Sequence, residues 1–256
     1  MTTVFQVAFA VARRSLRHAF TNPALLLPSI LFPLVFLLAF AGGLSSVENV
    51  PGFDYPPGYT TFQFVIVFLQ SAAFGGIFTG FGIAADFESG FARRLLLAAP
   101  NRPAILLGYT FAGLVRFLFT ATWVTIAGLI GGLTIDGSVV DLGGLLTLGL
   151  LVSATSTLFA AGVSYRAQTL QAGPLMQIPI FLILFLAPVY VPLPLLTGWI
   201  NAAASLNPAT ALLQAGRGFL AGAHETTALA FACALGLMAL MAIYAVRGLR
   251  KAERSA

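Results

Sequence analysis

Charge is scarce in this sequence. Only 8% of its residues are Asp, Glu, Lys or Arg, while 59% are apolar; a soluble domain carries about 25% charged residues. So little charge cannot clothe a water-facing surface, which excludes an ordinary soluble fold and points to an integral membrane protein. Lysine occurs once, as Lys251 behind Arg250. A G-x-x-x-x-G-K-[ST] phosphate loop is therefore impossible, and any nucleotide hydrolysis must come from another polypeptide. The two histidines, His18 and His224, are far apart, and no two-His metal site is expected. Cysteine also occurs once; Cys233 lies in an apolar run, cannot form an intrachain disulfide, and reads as packing. No cleavable signal pattern is expected, because Arg13, Arg14 and Arg17 stand where a short apolar core would be needed.

What is present is a series of long apolar runs. They are continuous rather than alternating, so the fold class is all-α and not a barrel. Six transmembrane helices are expected, at about 24–44, 61–85, 104–133, 142–163, 173–191 and 226–246. Pro28 and Pro33 should bend the first. The second is crowded with phenylalanines and carries Gly75, Gly76, Gly80 and Gly82, which suit close helix packing, including packing against a second copy. Phe74, Phe78 and Phe81 either contact a greasy substrate or simply pack. The fourth, rich in Gly, Ser and Thr, belongs inside the bundle. Arg116 falls well inside the third run, where insertion costs about 2.5–3.5 kcal/mol. It must face the bundle interior, a water-filled cavity, or snorkel.

Three stretches fall outside the spans. Residues 1–20 pattern as an amphipathic helix, with Val4, Phe5, Ala8, Val11, Ala12 and Leu16 on one face and Arg13, Arg14, Arg17 and His18 clustered late. Such a helix lies in the membrane interface with its arginines towards anionic headgroups; a plain basic tail is the alternative. Residues 192–225 are too polar to span and too apolar for a loop. Short helices at 195–203 and 208–220, broken at Asn207-Pro208, are expected to re-enter the outer leaflet. Residues 86–102 form the one charged break of any length, with Asp86, Glu88, Arg93, Arg94 and Arg102. Phe87, Phe91, Leu95 and Ala98 fall on one helical face. A short helix from about Ser89 to before Pro100 is expected, with Glu88 near its start and favoured by its dipole. A solvated loop that only fixes orientation fits the same pattern.

Charges set the orientation. With both termini cytoplasmic and six spans, eleven of the basic residues fall inside, Arg217 alone falls outside, and Arg116 lies within a span. The basic excess thus reads as topology and not as nucleic-acid binding. All eight acidic residues lie in loops or at span ends. No intramembrane carboxylate is available as a proton relay, which lowers a secondary, ion-coupled transporter as the alternative function. Asp86 and Glu88 are a weak pair for interfacial enzymology, because i and i+2 point apart on a helix.

DFESGFARRLLLAAPNRPAILLG resembles the E-x-G-containing segment of membrane subunits of ABC type-2 exporters, and is most similar to daunorubicin-resistance-type drug exporters. LNPATALLQAGRGFLAG is similar to the family's N-P-x-T segment before the last span. The six-span plan and the N-terminal helix match as well, so the resemblance covers nearly the whole chain, 1–256, as a single transmembrane domain. Glu88, Gly90, Pro100 and Arg102 match the first motif; Asn207, Pro208, Thr210, Arg217 and Gly222 match the second. Ala99 departs from it, standing where many relatives carry a small polar residue.

The resemblance implies a multi-pass permease of the cytoplasmic membrane, not itself an enzyme. It implies two copies working with two separate ATPase subunits that bind ATP and Mg, with no cofactor in this chain. Residues 86–102, including Phe91, Arg93, Arg94 and Leu95, would dock the ATPase beside the interfacial helix. The cargo would be a hydrophobic or amphipathic drug or lipid-like molecule, as in multidrug efflux and antibiotic resistance. Lipid-linked glycan exporters share the architecture and remain an alternative.

Overall fold

The computed structural model describes residues 2–99 and 101–254. Every regular element in it is helical. In chain order they are α1 (Thr2–Thr21), α2 (Pro23–Gly43), α3 (Gly58–Glu88), α4 (Phe91–Ala98), α5 (Pro103–Ile130), α6 (Val139–Ala167), α7 (Gly173–Phe185), α8 (Gly198–Leu206), α9 (Pro208–Ala221) and α10 (Thr227–Arg254). The starts follow local chemistry. Asn22-Pro23 separates α1 from α2, and Pro103 opens α5 where its missing N–H costs nothing. A capping box starts α6: Ser138 Oγ accepts from Asp141 N, and Asp141 Oδ2 accepts from Ser138 N at 2.8 Å. Asn207 Oδ1 accepts from Ala209 N at 3.0 Å to cap α9.

Helix α3 is the axis of the bundle, buried along almost its whole length and packed by α2, α5 and α6. Its glycines make this possible. A Cβ on Gly76 would stand 2.1 Å from Ser156 Oγ and 2.4 Å from Thr157 N, and one on Gly80 would stand 2.4 Å from the Ala160 Cβ. At these contacts α3 touches α6 almost backbone to backbone. Ser164 Oγ donates to Gly80 O at 2.9 Å and Ser153 Oγ to Gly113 O at 3.2 Å, so α6 is also tied across by its hydroxyls. The polar face of α6 is inside the bundle, as its composition indicates. The α3 glycines at 75, 76 and 80 serve close helix packing, as their size suggests, and the partners they meet are α5 and α6 of the same chain.

Five helices among the described residues are long and apolar enough to cross a membrane: α2, α3, α5, α6 and α10. The expected span at 173–191 is shorter than that. Its helix α7 has 13 residues, about 20 Å at 1.5 Å per residue. The chain turns at Leu186 and meets Pro188, which has no N–H to continue the ladder. The carbonyls left over are taken up by α9 and its cap. Asn207 Nδ2 donates to Ile183 O at 2.6 Å, and Arg217 donates to Pro188 O at 2.9 Å and Val189 O at 3.3 Å. Helices α8 and α9 lie close to the expected 195–203 and 208–220.

The bundle has two chemically different ends. Helix α1, α4, the α6–α7 turn and the end of α10 meet at one, with most of the arginines. Both terminal helices reach it: Val11 and Ala252 share one buried cluster with Phe87, Leu96 and Tyr165. The other end carries Glu48, Asp54, Asp136, Asp141 and Glu225.

Candidate coupling face

The basic end is built around the corner between α3 and α4. Ser89 and Gly90 link them, and Gly90 has φ +73°, a conformation that strains any residue with a Cβ. The break expected at Ser89-Gly90 is there, but the helical face drawn through it is not. Phe87 belongs to α3 and is 4% exposed, packed edge-on to Tyr165. In α4 the inward residues are Ala92 and Leu96, with Leu95 half-buried beside them. Arg93, Arg94, Leu97 and Ala98 face out. Leu97, 68% exposed, is the apolar side chain that α4 presents outward, and no periodicity argument singled it out.

Phe91 is no free anchor either. The Arg14 guanidinium lies 3.6 Å from its ring centroid. The same guanidinium makes a bidentate pair with Asp86, Nη1 to Oδ2 and Nη2 to Oδ1, both at 2.7 Å. Tyr109 Oη donates to the same Oδ2 at 2.9 Å. The hydrogen bonds that Arg14 donates to Asp86 raise the Arg14 pKa above its usual value, against the lowering by burial. One node therefore joins α1, α3, α4 and α5. Asp86 was noted in the sequence only as a weak partner for Glu88; its real partner lies 72 positions away.

Glu88 is the last residue of α3, not the first of a helix, so no dipole favours it there. Its Oε1 accepts from Thr169 Oγ1 and from Leu170 N, both at 2.8 Å. It clasps the turn between α6 and α7, where Gln168 sits at φ 55°. Arg102 Nε donates to Leu96 O at 3.1 Å, and its Nη1 lies 3.4 Å from Glu253. That residue ties the end of α4 to the end of α10. Pro100 lies outside the described residues.

Helix α1 packs on α5 through Val11, Ala12 and Ala19, and a Cβ on Gly108 would stand 2.6 Å from Ala8 O. The single apolar face expected from Val4 to Leu16 is divided: Val11 and Ala12 pack inward, while Phe5 points out with Phe9, 74% and 67% exposed. Arg13 and Arg17 continue that outward stripe at the same four-residue spacing.

The remaining candidates lie away from this face. Phe74 is buried among Phe32 and Phe181, while Phe78 and Phe81 are half-buried neighbours with centroids 5.7 Å apart. Arg116 is interior. Asn207, Pro208, Thr210 and Arg217 build the far end. Thr210 Oγ1 donates to Ala204 O at 2.6 Å, closing the α8–α9 corner. Buried Arg217 stacks 3.3 Å over Phe62 and holds the end of α7. Tyr55 Oη donates to Arg217 O at 2.9 Å, and burial pushes that phenol up, so it remains a donor.

These features define a multi-pass helical membrane protein. One end carries a short helix, α4, cross-braced to an N-terminal helix and to the final helix. The family model for the ABC-2 type transporter matches residues 6–220, and the chain belongs to that family: it is an ABC transporter permease. Comparison with curated proteins returns no match. Members of the family normally work with an ABC ATPase partner, and their transmembrane component is generally non-catalytic.

Proposed function

We propose that this chain is the permease of an ATP-driven exporter. Two copies associate with two separate ATPase subunits, which hold ATP and Mg, and carry a hydrophobic or amphipathic molecule, a drug or lipid-like compound, out across the cytoplasmic membrane. The basic end faces the cytoplasm, in keeping with the positive-inside rule. The observation that carries this reading is the bracing of α4. Its outward side is free for a soluble partner, while its inward side and its two ends connect to α1, α6–α7 and α10. A push on Arg93, Arg94 and Leu97 is transmitted through the Arg14–Asp86 pair to α1 and through Glu88 to the α6–α7 turn. The exposed Phe5–Phe9–Arg13–Arg17 stripe suits a membrane interface.

Genes for the ATPase are sought beside the permease gene, and the two are co-expressed. ATP-dependent efflux from cells or inside-out vesicles, lost when either subunit is omitted, is the expected outcome. Efflux driven by an ion gradient without the ATPase would instead establish a secondary transporter. That alternative is disfavoured because no carboxylate among the described residues lies mid-span.

A further inference from the structure

Arg116 stands at the midpoint of α5, too far from either end to snorkel as terminal arginines do. It is 5% exposed, and its Nη2 is buried without a hydrogen-bond partner. No carboxylate among the described residues lies within ion-pair distance of it. The Phe78 ring stands beside it, its centroid 5.8 Å from the guanidinium carbon. Arg217, the other buried arginine, differs on each point, with three carbonyls and a ring at 3.3 Å. Arg217 is a structural cation; Arg116 is a cation whose counter-charge the fold does not supply.

Fixed donors held in a low-dielectric interior bind an anion strongly, and a guanidinium matches the two oxygens of a carboxylate, sulfonate or phosphate. The neighbourhood is aromatic. Half-buried Phe78, the ring beside Arg116, packs on half-buried Phe81 and abuts Phe74, which is itself packed on Phe32 and Phe181. We propose that Arg116 is the receptor for the acidic group of the cargo, and that the cargo class is therefore an amphipathic anion with an apolar or aromatic body. This deepens the exporter reading and rests on it for the word cargo; the binding site itself does not depend on an ATPase.

The test uses the purified full-length permease in nanodiscs of zwitterionic phosphatidylcholine, without partner. Two fluorescent probes share an aromatic body and differ in charge: anilinonaphthalenesulfonate and N-phenylnaphthylamine. Signal from protein-free discs is subtracted. Wild type is expected to bind the sulfonate about tenfold or more tightly than Arg116→Gln, with Arg116→Lys in between, while the neutral probe binds all three alike. Gel filtration and tryptophan emission confirm that each variant is folded. Adding phosphatidylglycerol to the discs separates two sources of the same anion. Loss of sulfonate binding in wild type alone assigns the anion to a lipid head group, and retained binding assigns it to a non-lipid amphiphile; either upholds an anion at Arg116. Equal sulfonate affinity in wild type and folded Arg116→Gln overturns the proposal. Anion binding at Arg116 in a protein that shows no ATP-driven efflux would leave the site standing and sink the exporter reading alone.

Discussion

Breaking the Arg14–Asp86 pair should loosen α1 from the rest of the basic end. Asp86 accepts three short hydrogen bonds, two from Arg14 at 2.7 Å and one from Tyr109 at 2.9 Å. Asp86→Asn preserves the size but removes the charge. A fully buried ion pair loses about 3–5 kcal/mol when one partner goes, and an exposed one about 0–1 kcal/mol. Here the Asp86 side chain is 11% exposed but that of Arg14 is 43% exposed, so water screens one side of the pair. The expected cost lies between the limits, at about 1–3 kcal/mol. Arg14→Met removes the same pair and also the cover over Phe91. In a double-mutant cycle the two changes should be non-additive by about 1–2 kcal/mol. Stability is read by denaturant or thermal unfolding in one detergent, and ATP-coupled efflux is read alongside it with the partner co-expressed. If the two changes add to within about 0.5 kcal/mol, the pair carries no coupling and the described node is incidental.

Other outcomes follow from the same geometry. Gly76→Val would thrust a branched side chain into the α6 backbone at Ser156 and Thr157; overpacking of about 1–3 kcal/mol or more should appear as reduced folded yield, whereas Gly82→Ala, with open space around it, should be neutral. Arg217→Met should strip donors from the Pro188 and Val189 carbonyls at about 1–3 kcal/mol each, and limited proteolysis should then cut between α7 and α8. Glu88→Ala should leave membrane insertion intact while lowering the ratio of efflux to ATP hydrolysis, because the clasp on Thr169 and Leu170 is lost; an unchanged ratio would contradict a coupling role. The purified chain free of partner should show no ATP hydrolysis above background, as measured by phosphate release.

Much of this architecture was legible in the sequence because it is written in local chemistry. Continuous apolar runs gave the long helices, Asn207-Pro208 gave the α8–α9 corner, and the hydroxyl-rich run gave the buried face of α6. Prolines at 174, 179 and 188 stand in the same run, yet apolarity alone extended α7 to Val191; the helix stops at Phe185, short of Pro188, and the carbonyls of Ile183, Pro188 and Val189 take donors from Asn207 and Arg217, far along the chain. Periodicity likewise carried one apolar face from Phe87 to Ala98. A glycine at positive φ turns the chain in between, so those residues lie on two helices and face different neighbours. The pairings that make the basic end a unit were not legible. Arg14 with Asp86, Glu88 with Thr169 and Arg102 with Glu253 span 72 to 151 positions, and no local pattern encodes which charge meets which. Arg116 was legible as a misplaced charge; that its Nη2 lacks a partner needed coordinates.

The central claim is that the ATPase acts on the outward side of α4. Site-directed cross-linking tests it most directly, in a background where Cys233 is replaced and single cysteines are placed at Leu97 or at Val139. Leu97 is exposed at the basic end; Val139 is 85% exposed at the opposite end, at the start of α6. With the ATPase subunit co-expressed, Leu97→Cys should form an ATP-sensitive cross-link to it, and Val139→Cys should form none. A cross-link from Val139→Cys with none from Leu97→Cys would contradict both the orientation and the coupling role assigned to α4.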